Sequence, residues 1–349
     1  MSFELLRHHG DRDALPGLVD LAVNVRAGTP PPWLAQRIAA TELAAYPDQS
    51  EAVAAVAARH GRLPDEVLLT AGAAEAFVLI ARAIEARDAV IVHPQFTEPE
   101  VALRVAGRPV RRLVLEPPFT LDPADLPEGA DLVVVGNPTN PTSVLHPADV
   151  LRSLRRPGRY VVVDEAFADC VPGEAQSLAG EPDLGGVIVV RSLTKIWGLA
   201  GLRIGYVLAP APTINALRAV QHAWPVSAPA LVACVATSEP PARAEADEWA
   251  NELAGVRAEF VTDLAELDVD VVPGSAASFV LIDTHRHGVR ERLHEHGFAV
   301  RRGETFPGLG EQWIRVAVRE PDVNRRFVTA LADCLHLVDR LPVSGKGTR

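Results

Sequence analysis

An α/β fold is what this chain predicts, with a mostly parallel seven-stranded sheet in a large domain and a small α+β domain after it. Three observations carry that expectation. Seven short apolar segments, at 67–70, 89–92, 110–115, 132–135, 160–163, 187–190 and 204–208, alternate with helical stretches at 31–45, 49–60, 73–86 and 98–106. Several of the seven are continuous apolar runs, the pattern of strands buried on both faces of a helix-covered sheet. After about Thr237 the texture changes to a charged helical segment (239–268), strand-like segments at 278–283 and 313–318, and a closing helix at 322–340. The expected organisation is an N-terminal arm over 1–33, a large domain over 34–237 and a small domain over 238–349.

Composition bounds the function. The 349 residues are 48% hydrophobic and 23% charged, which suits a globular protein of this organisation. The formal net charge of −11 argues against nonspecific binding to nucleic acid or an anionic membrane. It does not exclude an anionic substrate, because local arginines decide that. Cys170, Cys234 and Cys334 are too widely spaced for a disulfide framework or a zinc knuckle, and read as inert thiols of a reducing cytoplasm. The first residues lack a signal-peptide core, and no apolar run approaches a membrane span, so a soluble cytoplasmic protein is expected. The Ser-Gly-Lys-Gly-Thr of the tail lacks the other parts of a phosphate loop.

The most informative segment is Arg191-Ser-Leu-Thr-Lys-Ile-Trp-Gly-Leu-Ala-Gly-Leu-Arg203, directly after the apolar run 186–190. A lysine just past a buried strand is costly to keep as an ammonium, and burial frees its amine for carbonyl chemistry. Ser192, Thr194 and Arg203 around it suit a phosphate. Lys195 beside an anion cradle suggests pyridoxal phosphate; a surface lysine with scattered polar neighbours fits the segment as well. At Gly72 a strand runs straight into a helix, whose first N–H groups, at Ala73 and Ala74, can take an anion. An ordinary strand–helix turn has the same pattern. Asp164 ends an apolar strand, where open α/β sheets place ligands; a helix cap or a structural ion pair fits it too. Gly136-Asn-Pro-Thr-Asn-Pro-Thr142 follows another strand as a rigid loop in which either amide can donate to a cofactor oxygen, and Asn140 is the choice. Phe96 follows a fourth strand and either stacks on a flat ring or joins the core.

In this order the motifs resemble the class I/II aminotransferase superfamily, pyridoxal-phosphate enzymes of fold type I, over 21–332. Within it the chain looks most like the threonine-phosphate decarboxylases of cobalamin synthesis, and next like the histidinol-phosphate aminotransferases. The closer match rests on His8-His-Gly-Asp11, Ala22-Val-Asn-Val25, Asp164-Glu-Ala-Phe-Ala-Asp169, Arg191-Ser-Leu-Thr-Lys195, and Phe306-Pro-Gly-Leu309 leading to Arg315-Val-Ala-Val-Arg319. The resemblance implies that Lys195 carries the cofactor as a Schiff base and then shuttles protons. It implies that Asp164 meets the ring nitrogen, Asn140 the phenolic oxygen and Phe96 the ring face. Ala73, Ala74, Ser192, Thr194 and Arg203 would hold the cofactor phosphate. Tyr46 would reach the phosphate of a neighbouring subunit, which implies a homodimer with shared active sites. Arg315 would take the substrate carboxylate and Arg301 a second anion, with Asn24 and His8 nearby; His9 competes with His8 for that place.

Two departures stand out. Phe167 replaces a tyrosine that bonds the phenolic oxygen in most of the class, as in the decarboxylase branch, and Ser143 replaces a glycine, with no chemical consequence read from it. The function expected is decarboxylation of L-threonine O-3-phosphate to aminopropanol phosphate. The alternatives are an aminotransferase of the histidinol-phosphate type or on another amino acid, and a non-catalytic binding protein of the same fold. Asp283, His285, His287, His294 and His296 form a local cluster among arginines, read as a solvated loop and helix with no metal expected. Trp197, Trp224 and Trp313 are read as packing residues.

Overall fold

The computed structural model describes residues 3–339, so the tail at 342–349 lies outside the described residues. The strands of the larger sheet are β2 (Val67–Thr70), β3 (Ala89–His93), β4 (Val110–Val114), β5 (Leu132–Gly136), β6 (Tyr160–Asp164), β7 (Val187–Ser192) and β8 (Gly205–Leu208). They lie in the order β2-β8-β7-β6-β5-β3-β4, and β8 alone runs antiparallel to its neighbours. The apolar runs have the expected cause. Val133, Val135, Val161, Val163 and Val189 enter one core, while Leu132, Val134, Val162, Ile188 and Val190 enter another on the opposite face. Consecutive residues point to opposite faces, so a strand covered on both sides needs apolar side chains throughout.

The covering helices are α2 (Pro32–Ala39), α3 (Ser50–His60), α4 (Ala73–Ala83), α5 (Glu98–Val105), α6 (Ala148–Ser153), α7 (Ala211–Ala219) and α8 (Ala228–Ser238). Four differ from the sequence reading. Helix α2 stops at Ala39, short of the expected 45, and α6 and α7 were not foreseen. Helix α8 was not foreseen either, because its small apolar residues carry no clear stripe.

The second sheet has the order β1-β11-β12-β10-β9, from β1 (Val19–Leu21), β9 (Asp270–Val271), β10 (Phe279–Asp283), β11 (Phe298–Arg302) and β12 (Trp313–Ala317). Its helices are α9 (Pro240–Ala265), α10 (Val289–Glu295) and α11 (Pro321–Asp339). The arm begins with α1 (Phe3–Leu6) and is not a free segment. Its β1 pairs in parallel with β11, Val19 opposite Phe298, so arm and C-terminal region share a sheet. All three cysteines are buried free thiols. No helix among the described residues is long and apolar enough to cross a membrane.

One buried ion network braces the centre of the larger sheet. The Arg191 guanidinium, on β7, donates to Glu165 at 3.1 Å and Glu174 at 2.7 Å, and also to Asp169. Arg59 donates to the same Asp169 and Glu174 at 3.0 and 2.6 Å. Arg191 immediately precedes Ser192, and Glu165 immediately follows Asp164, so the network fixes the ends of β6 and β7. Replacing Arg191 by Met leaves three carboxylates facing Arg59 alone, and a broken buried pair costs about 3–5 kcal/mol. Urea unfolding at pH 7 should register a loss of that size for R191M. A loss below about 1 kcal/mol would mean that the network adds little to stability.

Candidate active site

Five strand ends converge on one cavity at the carboxyl edge of the parallel strands, where such sheets bind ligands. Its wall contains Ala73 and Ala74 from the start of α4, Phe96 after β3, Asn140 after β5 and Asp164 from β6. Ser192, Thr194, Lys195 and Arg203 close it from β7 and the turn that follows. These are the residues the sequence selected for the cofactor, Tyr46 excepted; Pro138, Ala166 and Phe167 also line the cavity. A larger cleft, about 620 Å³, lies beside Arg59, Asp169 and Glu174. Its buried charges already satisfy one another, so size does not locate the chemistry.

The phosphate end is built from backbone and hydroxyls. The first N–H groups of α4 have no carbonyl within the helix to bond. Gly72, at φ +78°, turns the chain into α4 in a backbone region that suits glycine. A Cβ there would also lie 2.6 Å from Nη2 of Arg203. Ser192 Oγ and Thr194 Oγ1, both in the cavity wall, sit 2.7 Å apart. This donor set fits a phosphate monoester.

The ring end is defined by charge. Burial raises the Asp164 carboxyl to about 6, against a backbone bond from Ala166 and the positive charge of Lys195. Burial lowers the Lys195 ammonium to about 8, helped by the charge of Arg315 and opposed by Asp164. A pyridinium N–H beside Asp164 would supply the missing countercharge. Phe96 packs on His9 with ring centroids 5.3 Å apart and on Phe77 at 6.3 Å. Of the two amides in the rigid loop, Asn137 is committed: its oxygen accepts from the His146 N–H at 2.7 Å and its nitrogen donates to the His146 carbonyl. Asn140 accepts from Arg315 Nη1 at 2.5 Å, which leaves its NH2 to offer to the cavity. Phe167 carries no hydroxyl; Lys195 Nζ stands 5.3 Å from its ring centroid.

The substrate side holds the arginines. Arg301 and Arg315 are directly opposite each other on β11 and β12, so they share one face. Both are buried. Arg315 donates to Asn140 and the Ala22 carbonyl. Asn24, with its amide oxygen turned toward it, accepts from Nη1 and Nε at 3.1 Å. Among the described residues no carboxylate bonds Arg315, and burial depresses its guanidinium well below the usual range. Arg301, by contrast, is paired with Asp13 at 2.9 Å. His8 bonds that same Asp13 at 3.0 Å, while His9 lies on Phe96 and bonds Glu98, so the two histidines divide the places open to either.

Several readings need correction or completion. Trp197 and Trp313 are buried, but Trp224 is 55% exposed and is not a core packing residue; it stacks on Tyr46 at 4.4 Å. Tyr46 is 77% exposed and stands outside the cavity of its own chain. Ser143 does more than shape a loop: at φ 63° its hydroxyl accepts from the N–H groups of Ala276 and Ala277, tying the rigid loop to the segment before β10. In the histidine-rich stretch, His285 pairs with Asp270, Arg286 with Asp268 and His287 with Glu311. Asp13 was missed, since a short polar stretch gives no periodic signal.

A family model described as aminotransferase class I and II matches residues 16–331. The chain belongs to that family. It is a pyridoxal-phosphate protein of fold type I, and the cavity has the residues to hold that cofactor. The chain is 52% identical over 320 residues to a histidinol-phosphate aminotransferase of Mycobacterium tuberculosis, covering 90% of this chain and 87% of that one. It is 29% identical over 292 residues to a threonine-phosphate decarboxylase of Salmonella typhimurium, covering 80% and 79%. The fold matches the crystal structure of the histidinol-phosphate aminotransferase from Clostridium acetobutylicum, with TM-score 0.81, 22% identity and 91% and 99% coverage.

Only the neutral amine captures an aldehyde, so capture of pyridoxal phosphate by the apoprotein should accelerate as pH rises and level off above about 8. At pH 7 about a tenth of the amine is already free, against roughly three in ten thousand for an ordinary lysine. Stopped-flow absorbance between pH 6 and 10 measures this; a rate still climbing steeply at pH 10 would contradict the lowered value. Gly72→Ala should weaken cofactor retention at least about tenfold, through backbone strain and the displaced Arg203. Dialysis against increasing phosphate reads that loss.

Proposed function

We propose that this chain is a pyridoxal-phosphate aminotransferase whose amino donor carries a phosphate, of the histidinol-phosphate type. The observation that carries the reading is the pair Arg301 and Arg315, side by side on one sheet face, with Arg315 joined through Asn140 to the cofactor cavity. Histidinol phosphate brings one anionic group, its phosphate, whereas glutamate, the other partner of such a transfer, brings two carboxylates, so the pair of arginines has a purpose across the two half-reactions. The name of the 52% identical relative supports the same class.

The bound cofactor supplies an electron sink for the bond broken at the substrate carbon. In this reading Asp164 keeps the ring nitrogen protonated, and its own raised value shows how much a cation there would relieve it. Lys195, near neutrality in its acidity, takes and returns a proton at that carbon. Arg315, locked between Asn24, Asn140 and Ala22, fixes the direction of the group it binds, and so which bond stands upright against the ring. A second reading, release of carbon dioxide from L-threonine O-3-phosphate, is favoured by Phe167. That ring withholds the hydroxyl most of the class presents to the cofactor, and it packs on Phe279 of β10 beneath Arg315. We further propose a cytoplasmic homodimer with shared sites. The exposed strip of Leu43, Tyr46 and Trp224 is the surface it would cover.

Holoenzyme supplied with histidinol phosphate and 2-oxoglutarate should form glutamate. Stoichiometric carbon dioxide from threonine phosphate, with no glutamate from any donor, would replace this reading by the second. Arg315→Gln should lower kcat/KM about 100-fold or more while the cofactor stays bound, because a buried charge partner is worth about 2–5 kcal/mol to its ligand. Steady-state kinetics with the absorbance of the bound cofactor as control checks it.

A further inference from the structure

Arg301 and Arg315 occupy equivalent positions on neighbouring strands but differ in one respect. Arg315 has only neutral acceptors, whereas Arg301 is already held by an anion from the arm. The Asp13 side chain is fully buried and takes Arg301 Nη1 at 2.9 Å, Arg302 Nε at 3.0 Å and His8 Nε2 at 3.0 Å. Arg301 also donates to the carbonyl of His8, and its guanidinium rests 5.0 Å over the Phe306 ring. Burial pushes the Asp13 carboxyl up, but Arg301, His8 and Arg302 together hold it below the usual carboxylate range.

The arm is seated over both arginines. The Leu6 carbonyl accepts from the Thr97 hydroxyl just past Phe96. Gly10 passes so near β1 that a Cβ there would lie 2.5 Å from the Ala22 carbonyl oxygen and 3.5 Å from Arg315 Nη2. Between these points the carboxylate of Asp13, on Nη1, and the carbonyl of His8, on Nη2, together fill the guanidinium fork that a substrate anion would need.

We propose that Asp13 is a specificity-determining residue: it is the resting occupant of Arg301, and the phosphate of the substrate must displace it to bind. This rests on the reading that the amino donor carries a phosphate. The exchange puts a more highly charged anion on Arg301 than the one it displaces. A phosphate monoester brings more oxygens and more charge to Arg301 than a carboxylate does. The displaced Asp13 keeps Arg302 and His8, with Arg290 4.0 Å away, so it is not left as a bare buried anion. A donor whose single anion is a carboxylate held by Arg315 has nothing to exchange at Arg301, and the arm stays latched.

The test uses holoenzyme and inorganic phosphate as the probe, so that it does not depend on turnover. Asp13→Asn removes the competing charge, and apparent affinity for phosphate should rise roughly tenfold, since the fraction of protein with Arg301 free no longer limits binding. Arg301→Gln should abolish that gain, leaving only the phosphate that Arg315 takes independently of Asp13. In the wild-type protein, saturating phosphate should increase hydrogen exchange of the backbone at residues 3–13. With a phosphorylated amino donor D13N should lower KM and leave kcat unchanged. With alanine, whose one carboxylate leaves Arg301 unused, the gain in KM should be absent. Phosphate affinity that is unchanged or weaker in D13N overturns the proposal, as does wild-type protein that binds no phosphate. Should D13N fail to fold, the wild-type exchange measurement decides, and an arm equally or better protected in phosphate overturns it. Absence of amino transfer with every phosphorylated donor would defeat the functional reading alone, because phosphate binding and arm exchange would still report on Asp13.

Discussion

A buried guanidinium without a carboxylate organises this site. Arg315 is removed from water and left with the oxygens of Asn24, Asn140 and Ala22, which solvate it without neutralising it. A charge in that condition attracts an anion more strongly than a surface arginine can, because little water competes. Its influence runs outward. It makes the Lys195 ammonium more acidic, it takes the oxygen of Asn140 so that the amide nitrogen is left for the cavity, and it draws the arm down onto the sheet through Ala22.

Arg191 shows what a buried arginine looks like when its task is structural. It meets Glu165, Asp169 and Glu174, and its guanidinium is held well above the usual range by those carboxylates despite burial. The two arginines are buried alike, and the charge around them separates their roles. A buried pair that balances itself stiffens strand ends; a buried charge left in deficit waits for a ligand. By this measure Arg301 stands between the two, balanced in the resting protein by a residue whose own charge has other partners.

Much of the fold was legible because it rests on local rules. The valine runs at 132–135, 160–163 and 187–190 announce strands covered on both faces, and the two cores confirm why. The cofactor residues were legible for a related reason: Gly72, Asp164 and Lys195 each sit where an apolar strand ends, and topology carries such ends to one edge. What could not be read depends on long-range pairing. The three residues of β1 have no pattern until β11 lies beside them. Asp13 acquires its role only when Arg301, 288 positions away, folds against it. Ser143 looked like a neutral replacement for glycine until its hydroxyl met Ala276 and Ala277. Trp224 looked like core by residue type, but its segment lies on an outer surface against Tyr46.

Phe167 connects the two sheets at the reacting end. Its ring belongs to the core of the smaller sheet, meeting Phe279 edge-on at 4.9 Å, yet its face lies under the Lys195 amine. The other face of that arrangement is Arg315, stacked 5.2 Å over the same Phe279. One apolar pair therefore spaces the nucleophilic amine from the anion-binding guanidinium, and two like charges are kept apart by rings that offer each a weakly attractive π face. A tyrosine at 167 would keep the packing and add a hydroxyl whose partner is the cofactor oxygen. Asn140 is thus the amide that meets both the arginine and the cavity, one side chain between the anion-binding guanidinium and the cavity wall.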